Sequence, residues 1–421
     1  GGLVCALALS RHSHIDVDVY ESSASFSEVG VGIGIWPRDW GILKELGLED
    51  DLLQAVQGRF SDNEVPTFSY RKSDQATGIY ITTLYAKLGG LKPFYRPDFQ
   101  KIILRNLPDH CTLHVSKRVK AYSVLQSGEV EILFEDKTKA SCDLLVGADG
   151  IKSAVRKTLL SREAHHFKNL GEVEKARDIK SSVEASWTGV VAYRTIIPSD
   201  VLVARFPNHP VFTQPTQVGP HVIAYPIAKG RMVNFAAFRT RYDLEGQAFE
   251  GPWASTINDW DPTVFDGWEP ALKALVECVG KNPLKWAIHV VKPLHSFVSS
   301  TDAVALVGDA AHAMEPFQGM GAGSSIEDAY ILAAVLGHSK TTKKNLTTML
   351  SKYDELRRPF VRNVQAASRS SGRNFALHSP RPSFDPSKFE DLQQLIETVD
   401  KRWEYCWNTS IKLDENLKLV Q

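Results

Sequence analysis

Hydrophobic positions along the chain change period several times, and each change predicts an element. Leu3, Ala6, Leu7 and Leu9 recur near helical spacing, and Ser10-Arg11-His12 ends that helix. Ile15-Asp16-Val17-Asp18-Val19-Tyr20 then alternates with period two, which predicts a strand ending at Glu21. Gly30-Val31-Gly32-Ile33-Gly34 reads as a glycine-rich loop, and a short helix is expected from about Pro37 to Gly47. Tyr95-Arg96-Pro97-Asp98 opens a further helix carrying Phe99, Ile102, Ile103 and Leu107. Strands are expected near 112–117, 121–125 and 129–135, and Asp143–Val146 is an apolar strand of the buried type. From about 185 to 240 the pattern becomes short strands separated by Pro and Gly, at 190–197, 210–213, 222–225 and 232–238. That stretch reads as a sheet inserted into an α/β framework. Helical material is expected over 252–283, among Trp253, Trp260 and Trp268. The framework resumes with Val304–Val307, a helix from Gly321 to Leu336, and a helix over 343–373 that Pro359 should kink or break. One amphipathic helix (Phe389, Leu392, Leu395, Ile396, Val399, Trp403) lies in a polar, Pro-rich tail.

Composition narrows the classes. The 421 residues, with 43% hydrophobic and 23% charged, are ordinary for a globular chain of two or three domains. Lys+Arg and Asp+Glu both number 49, which argues against a nucleic-acid binder working by counterion release. No apolar run reaches 18 residues, so no transmembrane segment is expected. Five dispersed cysteines without a C-x-x-C pair argue against a disulfide framework or a structural zinc and fit a reducing, cytoplasmic setting. No metal ligands are assigned.

Three strings carry chemistry. Gly1-Gly2 before a helix, followed by a strand ending in Glu21, fits the later part of a G-x-G-x-x-G dinucleotide fingerprint; its acid accepts from ribose hydroxyls. The first strand and first two glycines of that fingerprint lie outside the sequence, so weak cofactor retention is expected of this chain. Asp149-Gly150-Ile151-Lys152-Ser153-Ala154-Val155-Arg156 joins a buried strand to a new helix. The third string is Gly308-Asp309-Ala310-Ala311-His312, then Pro316-Phe317-Gln318-Gly319-Met320-Gly321-Ala322-Gly323, then Glu327-Asp328. There an apolar strand delivers an acid, small residues admit a planar ligand, and a helix N-terminus points free N–H groups at it. The plainer alternative at that helix is a capping box of Ser324 and Glu327.

With the three strings in this order, the chain resembles the single-component FAD-dependent aromatic hydroxylases of the p-hydroxybenzoate hydroxylase type, and salicylate hydroxylase-like monooxygenases within them. The resemblance spans nearly the whole sequence, including Tyr95–Asp98 and the tail Arg402-Trp403…Trp407-Asn408. It implies an α/β fold: a Rossmann-like FAD-binding domain, an inserted antiparallel β-sheet substrate domain and a C-terminal helical tail. The implied boundaries are FAD-binding segments at 1–60, 94–184 and 286–375, substrate-domain segments at 61–93 and 185–285, and the tail at 376–421. It implies FAD bound by Gly2, Glu21, Gly32, Arg38, Arg96, Asp149, Gly150, Asp309, Pro316, Gly319, Gly321 and Ala322. NADH or NADPH would visit transiently. It also implies hydroxylation of a small phenolic substrate with O2 through a flavin C4a-hydroperoxide, by a monomer or homodimer.

Taken alone, Arg194 on its strand reads as a solvated edge charge and Tyr225 equally as an ordinary half-buried tyrosine; the resemblance implies them as the catalytic pair, because relatives carry an active-site Arg in this string and the reaction needs a cation to hold an anionic ring. The sequence departs from the family at two places. Phe317 stands where relatives tend to have His after the loop proline, and Arg38 where they often have Asn. Two other readings stay open: oxidation of a secondary metabolite on the same scaffold, and a non-catalytic remnant that does not hold FAD.

Overall fold

The computed structural model describes residues 1–26, 32–56, 63–212, 216–219 (backbone only), 222–256, 260–379, 381–409 and 411. Helix α1 (Gly2–Leu9) is buried from Val4 onward because it has no polar face. Strand β1 (Val17–Tyr20) follows. Strand β2 (Gly32–Ile35) leads through Trp36 into α2 (Pro37–Glu45), where proline sits in the first turn and loses no helical bond. Gly32–Gly34, expected as part of a loop, is therefore a strand; Gly30 and Val31 lie outside the described residues. Helix α3 (Glu49–Ala55), strands β3 (Val65–Lys72), β4 (Ile79–Ala86) and β5 (Lys92–Tyr95), and helix α4 (Arg96–Arg105) come next. Strands β6 (Cys111–His114), β7 (Val119–Val124), β8 (Val130–Phe134), β9 (Lys139–Cys142) and β10 (Leu145–Gly147) precede α5 (Ala154–Asn169) and α6 (Val173–Ser181).

The long strand β11 (Ser186–Pro198) then opens the inserted sheet. It is followed by α7 (Ser199–Arg205), β12 (Thr216–Gly219), β13 (Val222–Ile227), β14 (Met232–Thr240), β15 (Ala254–Thr256), α8 (Pro270–Glu277) and β16 (Leu284–Val290). Two expectations fail here. Pro210–Phe212 is a 3₁₀ turn, since a proline cannot donate to a ladder, and Thr213 lies outside the described residues. Of the helical material expected over 252–283, the described residues show α8 and a 3₁₀ turn at Pro262–Phe265, while 254–256 is strand.

The chain closes with β17 (Val304–Leu306), the short α9 (Asp309–His312), α10 (Gly321–Leu336), α11 (Leu346–Phe375), α12 (Phe389–Lys401) and α13 (Tyr405–Asn408). Helix α11 runs unbroken through Pro359, so the break that was one of the two expectations does not occur. The proline removes one backbone bond. Burial of Leu350, Tyr353, Arg357, Val361, Val364 and Ser368 along one face holds the helix together on both sides of it.

Parallel pairs β1–β6 and β10–β17 belong to the cofactor-side framework, and their apolar strands are packed by helices. The second body is an eight-stranded sheet in the order β15-β16-β11-β14-β13-β12-β3-β4. One of its faces packs Val191, Tyr193, Val222, Ala224, Val233 and Phe235 into two apolar clusters, the larger one under α8. The other face looks towards β2 and the loop before α10. Among the described residues no helix is long and apolar enough to cross a membrane.

Candidate functional site

Period-two geometry and the ladder registers decide which side chains share that second face. Arg194 lies opposite Ala236, and Ala236 opposite Ile223. Two residues along, Asn234 lies opposite Tyr225; two residues the other way, Ala192 lies between Phe238 and Trp286. Arg194, Tyr225, Asn234, Phe238 and Trp286 therefore line one surface. Its contacts agree. The Arg194 guanidinium lies 5.8 Å from the Trp286 ring centroid. The Phe238 ring lies 5.1 Å from Phe317 of the loop before α10. Gly32 N donates to Asn234 Oδ1 at 3.1 Å. A Cβ at Gly32 would come within 2.7 Å of the Tyr225 hydroxyl, so only glycine lets β2 approach the sheet this closely.

Arg194 and Tyr225 perturb each other. Burial lowers the Arg194 pKa, opposed by the Tyr225 hydroxyl and reinforced by the charge of Arg96. Burial raises the Tyr225 pKa, and Arg194 pulls it back. No carboxylate among the described residues bonds to Arg194. A guanidinium taken largely out of water without a counterion is costly to hold, which marks this face as a place for an anionic guest.

The opposite wall is built from the sequence strings. Gly2 sits against Ala148 at the end of β10, where a Cβ would approach to 3.1 Å. Arg96, Asp309 and Asp328 are charged groups whose fields reach the start of α1. Glu21, at the tip of β1, accepts from Ser22 Oγ at 3.1 Å and from Ser23 N at 2.7 Å, so its carboxylate is aimed by its own turn. Gly308 has φ 60° and ψ −142°, a region for glycine only, and a Cβ there would strike Ser325 Oγ at 2.5 Å. That backbone bend presents Asp309 at the surface as the first residue of α9. Asp149 accepts from Ser153 Oγ at 2.5 Å, Ala154 N at 2.7 Å and Val155 N at 3.2 Å, and so caps α5. Arg156, fully buried, donates to the carbonyls of Ile151 at 2.5 Å and Ala310 at 3.0 Å. It ties the Asp-Gly string to the Gly-Asp string.

Between the two walls runs a ledge of alternating exposure. Pro316 and Gly319 are exposed, Gly321 and Ala322 half-buried, while Phe317, Gln318 and Met320 point inward. A Cβ at Gly150, Gly319 or Gly321 would meet nothing within 4 Å. Glycines facing open space, a helix N-terminus with free N–H groups, and the Arg96–Asp309 pair at the start of α1 fit a flat, anionic dinucleotide such as FAD.

Arg38 is placed elsewhere. Its Nε is 2.5 Å from Glu327 Oε1, it bonds Thr409, and it lies 4.5 Å from the Phe360 ring centroid. The geometry gives it a floor beneath the ledge and not the ledge itself. Sequence reasoning missed that floor. Glu327 also bonds Arg357; Asp328 accepts from Arg357 Nε at 2.8 Å, Gly308 N at 2.9 Å and His312 Nε2 at 2.5 Å. Burial pushes Asp328 up, but the charges of His312 and Arg357 prevail and hold it at about 2. Burial, and then the negative charge of Glu327, push Asp39 well above the usual carboxylate range. The available signal was two adjacent acids inside an otherwise apolar helix. Ser324 is not a cap: α10 begins three residues earlier and the Ser324 hydroxyl is unpartnered.

Comparison with known proteins places this arrangement. Residues 1–368 match the family described as FAD binding domain. The FAD-dependent monooxygenase str9 of Strobilurus tenacellus is 34% identical over 452 residues, covering 100% of this chain and 96% of the relative. A salicylate hydroxylase of Pseudomonas putida is 32% identical, covering 98% and 90%. A solved salicylate hydroxylase substrate complex superposes with a TM-score of 0.78 at 26% identity, over 100% of this chain and 95% of the other. The fold is also that of Klebsiella pneumoniae HpxO, solved with FAD and uric acid, with a TM-score of 0.70 at 23% identity and 96% and 94% coverage.

Proposed function

The chain belongs to the FAD binding domain family and is an FAD-dependent aromatic hydroxylase, and from that premise we propose that its substrate is a small phenolic ring carrying negative charge, of the salicylate kind. The observation that carries this reading is Arg194: a largely buried guanidinium, without a carboxylate partner among the described residues, on the sheet face that confronts the ledge. A carboxylate or phenolate accepts two parallel bonds from such a group, and the Tyr225 hydroxyl adds a third donor. Phe238, Phe317 and Trp286 supply the flat apolar walls that a ring needs and that exclude water.

On the cofactor side, Glu21 would accept from the adenosine ribose, Arg96 would neutralise the pyrophosphate, and Asp309 would accept from the ribityl chain. The ledge Pro316, Gly319, Gly321 and Ala322 would lie along the ring system, with Asp149-Gly150 beside it. Bound FAD supplies the two-electron and dioxygen chemistry that side chains lack. The N-terminus of α10 would offer positive potential to the negative charge that reduction places on the ring system. NADH or NADPH would serve as the transient reductant.

The test is oxidation of NADH and NADPH by the FAD-loaded protein against a panel of phenolic carboxylates, with mass analysis of products. Stimulation together with a product bearing one new hydroxyl oxygen supports the reading. Oxidation confined to uncharged rings or alkenes would replace it with oxidation of a secondary metabolite.

A further inference from the structure

Asn234 lies on the sheet face that confronts the ledge, and its contacts leave half of its amide unspent. It sits on β14 opposite Tyr225 of β13, two positions from Ala236, which lies opposite Arg194 of β11. It is 3% exposed. Among the described residues its side chain makes one hydrogen bond, and that bond crosses to the cofactor-side framework: Gly32 N of β2 donates to Oδ1 at 3.1 Å.

This bond settles which way the amide points. A backbone N–H needs an acceptor, so the oxygen must face β2 and the nitrogen must take the other corner. Both Nδ2 hydrogens are then without an acceptor among the described residues. Accepting from Gly32 N does not itself call for an amide, because a serine or threonine hydroxyl could do it. What asparagine adds at this position is an uncharged donor. A buried donor without a partner is costly, so a face that keeps one is suited to a guest that brings the acceptor.

The neighbours indicate which acceptor. A Cβ at Gly32 would come within 2.7 Å of the Tyr225 hydroxyl, so Gly32, Tyr225 and Asn234 converge on one spot. Arg194 stands on the opposite flanking strand of β14, a cation suited to a carboxylate. A guest whose carboxylate meets Arg194 and which carries a second oxygen on the same ring would bring that oxygen to an amide, and not to a second cation. Donation to such an oxygen strengthens as it takes up negative charge, so the same contact favours the electron-rich form of the ring that hydroxylation requires.

We propose that Asn234 is a specificity-determining residue whose Nδ2 donates to the phenolic oxygen of the guest, so that the face reads a hydroxyl together with a carboxylate and not a carboxylate alone. This rests on the phenolic reading given above. The amide neither takes nor gives up a proton; its part is to bind and to orient.

The experiment measures equilibrium binding to the FAD-loaded protein without reductant, from the change in flavin absorbance. Three ligands share the carboxylate: 2-hydroxybenzoate, benzoate, and 2-methylbenzoate, which matches the first in bulk but lacks its oxygen. The unaltered protein is expected to prefer 2-hydroxybenzoate over the other two by roughly 10- to 100-fold. In Asn234→Leu, which keeps the bulk and removes the donor, most of that preference is lost, and Asn234→Ala loses it likewise. If neither variant folds, the ligand comparison in the unaltered protein decides alone. An unaltered protein that does not distinguish 2-hydroxybenzoate from 2-methylbenzoate overturns the proposal. Variants that weaken all three ligands by one common factor show that Asn234 only braces β2, which overturns the proposal and leaves the functional reading standing. Failure of the unaltered protein to bind any of the three carboxylates overturns both.

Discussion

Apart from Arg156, which backbone carbonyls satisfy, two regions of this protein hold arginines out of water, and they treat them oppositely. Beneath the ledge, Arg38 and Arg357 meet Glu327 and Asp328, with side-chain exposures of 8% or less throughout. On the sheet face, Arg194 meets indole and phenol and, among the described residues, no carboxylate. A matched set of buried charges is a structural commitment, because each guanidinium there already has its carboxylate. An unmatched cation in a face lined by aromatic rings is a commitment to a guest. Burial alone does not tell the two apart; the partner does.

The largest way to break this comparison is Arg357→Met. It removes the cation that Glu327 and Asp328 share, leaving them to Arg38 and to His312 and Gly308 N, and a loss of about 3 kcal/mol in unfolding free energy is expected by denaturant titration. An effect below about 1 kcal/mol would mean that the floor is not a cooperative ion network. Arg194→Ala should do the reverse. Stability and FAD content stay near those of the unaltered chain, while substrate-dependent kcat/KM drops about 30- to 1000-fold, or roughly 2–4 kcal/mol. Loss of flavin in that variant would erase the division between the two walls.

Asp309→Ala should weaken FAD binding by roughly 1.5–3 kcal/mol in a fluorescence titration, leaving the fold intact. The smallest effect concerns pH. Glu315 titrates at about 7 against an ordinary 4.5, so the folded chain binds more protons than the unfolded one in that window, and stability is lost as pH rises through it. Asp328, held at about 2 against 3.8, behaves oppositely and loses stability only as pH falls through that range. Glu315→Gln should therefore gain about 1–2 kcal/mol over the unaltered chain between about pH 5 and about pH 8, and leave the acid limb unchanged. A parallel pair of stability–pH curves would show that Glu315 is already hydrated.

Much of the framework could be read from local pattern, for local reasons. Helix α10 runs from Gly321 to Leu336 as its glycines and apolar run predict, and α4 opens at Arg96 because proline favours the first turn. Arg194 and Tyr225 were expected on one surface, and the ladder register brings them to one face. Asn234 and Phe238 could not, although they alternate correctly along β14. Which face of a two-sided strand meets the cofactor framework is decided by what packs behind it, and for this sheet that is α8, more than thirty positions later. Arg38 was misjudged for a related reason: its partner Glu327 is 289 residues away, a distance no local pattern spans. Pro359 marks a third limit, where a strong local breaker was overruled by a continuous buried stripe on α11.

That continuous helix sets the spacing of the whole site. Arg357 near its middle locks the cofactor floor, while Gly372 near its end gives room to the Phe317 ring, which a Cβ would approach to 2.3 Å. The 15 residue steps from one to the other make a rod of about 22 Å. The floor beneath the ledge and the sheet face opposite it are thus indexed to one ruler. Inserting or deleting a single residue in that span would turn the far end by about 100° and swing Gly372 out from under Phe317. Grafts that exchange the inserted sheet for a relative's can vary its strands and turns freely, but must carry this interval of α11 unchanged.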